Sequence, residues 1–150
     1  MAFWRKEPGA KEAKRLANLA VSYAKQMGYT FDYSAACVEQ LETILNEYSE
    51  ELMADQSEQI TEKQIWSMSL IWGAYLGETI RRQTTSNVRW LQEEDTKEVY
   101  LINENQGKVY PVTKVQKRLR EGLQDNVVSF YDVSLAFLEG KLDLHSQAER

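Results

Sequence analysis

The chain holds one cysteine, one histidine and two prolines among its 150 residues. A lone Cys37 cannot close an intramolecular disulfide, so nothing here asks for an oxidising compartment. With His145 as the sole imidazole, neither a zinc site nor a Cys-His nucleophile can be assembled at ordinary spacing. Long apolar runs are missing too. The longest uncharged stretch, Gln64 to Gly77, falls well short of the roughly 20 residues that cross a bilayer. The opening MAFWRKEPGAKEAKR leads into the polar-interrupted LANLAVSYAKQ rather than into the apolar core of a signal peptide, so a cytoplasmic protein with no membrane segment is expected. Positive charge is in short supply, with 18 Lys and Arg against 23 Asp and Glu and a net charge of -5. That balance disfavours a dedicated nucleic-acid binder, and the acidic excess around 47–62 and 93–98 favours a basic partner.

Motifs of catalysis and phosphate binding are absent as well. There is no G-x-S-x-G elbow, no P-loop, no G-x-G-x-x-G and no calcium loop; "NQGK" at 105–108 keeps only the glycine-lysine pair. The acidic run Glu93, Glu94, Asp95 with Glu98 reads as a solvated turn before it reads as a cation site. The expectation is therefore no catalytic residue, no cofactor and no metal.

What the chain does have is 43% apolar and 11% aromatic residues, enough for the core of one domain over 1–150 with loose tails at about 1–9 and 141–150. Leu16, Ala20, Tyr23 and Met27 recur at helical spacing up to a stop at Gly28. Asp32 or Ser34 can cap a second helix with Val38, Leu41, Leu45, Tyr48 and Leu52 inward and Glu42, Glu47, Glu50 and Glu51 on the wet side. Thr61 and Gln64 make a capping box for a third helix, which ends near Gln83 with Arg81 and Arg82 where the helix dipole favours cations. The period then shortens. Val88 and Trp90, "VYLI" at 99–102 and "KVYPV" at 108–112 predict a three-stranded antiparallel meander with the second strand central, closed by Pro111. Thr113 can cap a helix "KVQKRLREG" that stops at Gly122, and Asp125 or Asn126 can start a last helix carrying Val127, Tyr131, Leu135 and Leu138. The fold class is α+β: three helices, the meander, two helices.

Three features rise above this background. Gly73 and Gly77 each cost a helix interior roughly 1 kcal/mol against alanine, so the helix needs two bare patches of backbone on one face. Tight packing inside the domain explains them most simply, and a dimer or ligand face is the alternative. Glu78 stands four residues before Arg82, a surface pair by default, or it meets Arg118 across the interior. Lys114, Lys117, Arg118 and Arg120 would give one helix a basic side, and with Trp4, Trp66, Trp72 and Trp90 they supply the nucleic-acid alternative. All the tryptophans but Trp4 occupy core-periodic positions.

The order "GAYLGETIRR", Trp90 on a strand, "VYP", "KVQKRLREG" and "DNVVSFY" resembles the DUF3806 group of small bacterial domains, over about Ile71 to Tyr131. In that group a helix with an L-G-E-like motif precedes a strand tryptophan, an acidic or glycine turn, a strand ending in proline and a K-R-x-x-x-G helix. The resemblance implies that Gly77, Glu78, Trp90, Pro111, Arg118 and Gly122 are family-type positions with structural roles, and that the protein is bacterial and cytoplasmic. The group's glycine turn is replaced here by "EEDTKE". No activity comes with it. The function expected is a non-enzymatic protein-binding module, an adaptor or immunity-type protein, with nucleic-acid binding through 114–120 as the alternative. None of these features encodes an oligomeric state.

Overall fold

The computed structural model describes residues 6–54 and 61–142, with side chains from Gly9 onward. Trp4, His145 and most of the two expected tails lie outside the described residues. Helix α1 spans Lys6–Gln26, α2 Ala35–Ala54 and α3 Glu62–Gln83; strands β1 Arg89–Gln92, β2 Val99–Ile102 and β3 Lys108–Val109 follow; then α4 Pro111–Glu121, a 3-10 turn Leu123–Asp125 and α5 Val127–Leu138. The fold is the α+β arrangement the periodicity predicts, and the strand order is β1-β2-β3, antiparallel throughout.

Helix α3 is the spine. Every residue from Trp72 to Ile80 is buried, because α1 packs along one side of it and α4 along another. Its start is fixed by the capping box: Thr61 Oγ1 accepts from Gln64 N at 3.2 Å and Gln64 Oε1 accepts from Thr61 N at 2.8 Å. Two of its buried hydroxyls bond back to the helix, Ser69 to the Ile65 carbonyl at 2.7 Å and Thr79 to the Tyr75 carbonyl at 2.9 Å.

Several expectations are corrected here. Helix α1 begins at Lys6 and runs through Pro8 and Gly9, where a frayed tail was expected. Its inward face is Ala13, Leu16, Ala17, Ala20 and Ala24, while Tyr23 and Met27 are about two-fifths exposed: small residues let α1 lie close to α3. Trp66 is also an exposed position, at 38%, and not part of the core. Pro111 does not close β3 but opens α4, where its fixed φ suits the first helical turn and its missing N–H costs nothing. Thr113 consequently sits inside α4 and donates to Glu98 Oε2 at 2.9 Å instead of capping. Of the two starts expected for α5, Asp125 or Asn126, the cap is Asn126, accepting from Val128 N at 2.8 Å and Ser129 N at 3.2 Å.

Candidate functional site

The residues singled out by sequence gather around two buried charges. The first is Glu78, 1% exposed on α3. Arg81 grips both its oxygens at 2.8 and 3.0 Å, the Trp90 indole N–H donates to Oε2 at 2.9 Å, and Arg82 Nε stands 3.7 Å from Oε1. Burial pushes the Glu78 carboxyl up, but the hydrogen bonds from Arg81 and Trp90 and the charges of Arg81 and Arg82 outweigh it, so the group lies below its usual value. Gly77 makes room for this arrangement. A Cβ there would stand 2.2 Å from Trp90 Cη2 and 3.0 Å from Pro111 Cγ, and one at Gly73 would stand 2.6 Å from Val112 Cα. Both glycines thus admit neighbours within the domain.

The second charge is Arg118, fully buried on α4. It does not meet Glu78. Its Nε reaches Glu42 Oε2 at 2.9 Å, and its Nη2 reaches Glu42 Oε2 at 2.7 Å and Asn46 Oδ1 at 2.6 Å. Glu42 Oε1 also accepts from Val127 N at 3.1 Å, so one carboxylate ties α2 to α4 and to the start of α5. Glu42 was assigned to the wet side of α2. The signal that places it inward is its spacing, four after Val38 and three before Leu45, on the edge of the apolar stripe. Gly122 ends α4 at φ 94, a conformation glycine adopts freely.

The basic side expected of α4 is dispersed. Arg118 is buried, Lys114 pairs with Asp125 at 2.9 Å, and Arg120 pairs with Glu62; Lys117 alone of the four has no ion pair among the described residues. The acidic run is spread out too. Glu93 pairs with Lys108 at 3.2 Å, Glu98 takes the Thr113 hydroxyl, and no described residues form a cluster able to hold a metal.

Two concavities lie beside these centres. A groove of about 430 Å³ runs between β3, α4 and α5, floored by Val109, Phe130, Val133 and Phe137 and edged by Lys108, Lys114, Lys117 and Glu98. Val133 is 39% exposed, an apolar side chain held open to solvent. None of the floor residues on α5 was singled out by sequence, because Phe130, Val133 and Phe137 fall on the flank of the helix opposite the periodic stripe and look like ordinary surface. A smaller cleft of about 240 Å³ lies between α1, α3 and β1, with Lys14, Arg81 and Arg89 around Glu78 and Trp90. No helix among the described residues is long and apolar enough to cross a membrane. Comparison of the chain with family models, with curated proteins and with solved structures finds no match.

Proposed function

We propose that the chain is a protein-binding module without catalytic chemistry of its own, which seats a segment of its partner in the groove between β3, α4 and α5. The observation that carries this reading is the groove's make-up, an apolar floor including the exposed Val133 inside a charged edge. Interfaces draw their energy from apolar anchors in such settings and their register from polar groups at the rim. Lys108 and Lys114 at that rim are paired with Glu93 and Asp125, which leaves Lys117 without an ion pair among the described residues and favours a segment with a carboxylate beside an aromatic or branched aliphatic anchor. The net charge of -5 points the other way, toward a basic partner, but it acts on approach over about 10 Å, whereas the rim acts at contact. Nucleic-acid binding through 114–120 loses support, since three of its four cations are engaged within the domain. The resemblance to the DUF3806 group, together with the single cysteine, favours a bacterial cytoplasmic setting.

A random-peptide display selection on the full chain tests this. The expected winners carry an aromatic or aliphatic residue beside acidic ones, and Val133→Glu or Lys117→Glu abolishes their binding while Glu51→Lys does not. No enrichment, or winners indifferent to Val133→Glu, would remove the groove from consideration.

A further inference from the structure

We propose that the cleft between α1, α3 and β1 binds a small multivalent oxyanion of the phosphate or phosphomonoester class. Three cations line it, one from each element: Lys14 from α1, Arg81 from α3 and Arg89 from β1. The single carboxylate in the cleft, Glu78, is already committed, for Arg81 holds both its oxygens and the Trp90 indole donates to one of them. Lys14 and Arg89, both lining this concavity, have no carboxylate partner among the described residues of a chain of net charge -5. Ala10, Val88 and Trp90 supply a partly apolar wall beside these cations. A volume of about 240 Å³ is ample for a tetrahedral oxyanion and leaves room for the start of an esterified group. A guanidinium such as that of Arg89 can match two phosphate oxygens at once, which a monatomic ion cannot exploit. Arg81 is held in place by Glu78 and presents its outer N–H groups from a fixed position, so part of the ordering cost of binding is met before the anion arrives.

This site shares no residue with the groove, so either proposal can fail alone. The test follows the Trp90 indole N–H by NMR while inorganic phosphate and, separately, O-phosphoserine are titrated into the full chain at constant ionic strength. A saturable shift with either anion is expected, the tighter one identifying the source. Arg89→Gln and Lys14→Gln, both at exposed side chains and checked for folding by thermal melts, should each weaken binding about tenfold through loss of a charged hydrogen bond. Lys117→Gln in the groove should change nothing. A shift that chloride reproduces, one that never saturates, or unchanged binding by Arg89→Gln and Lys14→Gln would overturn the proposal.

Discussion

At the scale of single residues, the pair Gly73 and Gly77 shows how a local cost is offset by a contact. Alanine at either position would favour the helix by roughly 1 kcal/mol. At Gly77 the added carbon would meet the Trp90 ring at 2.2 Å, and that ring cannot swing away without losing its bond to the buried Glu78. At Gly73 the obstacle is the backbone of Val112, which moves only if α4 moves. Gly77→Ala and Gly73→Ala should therefore each destabilise by about 1–3 kcal/mol in denaturant melts, overpacking outweighing propensity. A neutral Gly77→Ala would mean that Trp90 is free to yield. The need for bare backbone was legible from sequence because glycine in an apolar helix demands a reason. Which neighbours approach it was not, since Trp90 and Val112 arrive from elements whose placement only the tertiary fold decides.

At the scale of elements, most boundaries were written in local chemistry: the Thr61–Gln64 capping box, the period change at Val88, the glycine that ends α4. Two of the errors fell where one residue type serves two local roles. Proline ends a strand or begins a helix, and at Pro111 the second won; threonine caps a helix or pairs outside it, and Thr113 turned to Glu98. Pairing between helices was the least legible, as Arg118 shows. Its sequence pattern offered one carboxylate, Glu78, yet it took Glu42, 76 positions away on α2. That pair joins α2, α4 and α5, and Arg118 Nη1 is buried with no hydrogen-bond partner, so little else would compensate the charge if Glu42 were lost. Glu42→Gln should cost about 3–5 kcal/mol, the usual toll of stranding a buried charge. A double-mutant cycle should show strong coupling between Glu42 and Arg118 and near-additivity between Glu78 and Arg118. Additive Glu42 and Arg118 effects would break the link drawn between these helices.

At the scale of the whole molecule, the buried titratable groups set a pH window. Glu78 has a folded pKa below its ordinary 4.5, so in acid the unfolded chain binds the proton more readily than the folded one. Its contribution is complete above about pH 4.5 and is lost as the pH falls through the lower folded value. On the alkaline side, burial raises Tyr33, Tyr48, Tyr75, Tyr110 and Tyr131 above their ordinary 10.0. The unfolded chain then gives up these protons first, so stability is complete below pH 10.0 and declines as the pH climbs toward the raised values. Tyr75 should dominate that limb, being wholly buried, stacked on Tyr33 at 4.8 Å and taking the Tyr33 N–H on its hydroxyl at 2.9 Å. Tyr75→Phe removes the ionisable group but keeps the ring, at a cost of about 1 kcal/mol for the lost hydrogen bond near neutrality. Denaturant midpoints measured across pH should show the variant weaker than the parent at pH 7 and closing the gap above pH 10, because the parent alone must keep that phenol protonated. A gap that stays constant into strong alkali would mean that Tyr75 ionises in the folded state as readily as in the unfolded one, and that the alkaline limb belongs to the less buried tyrosines.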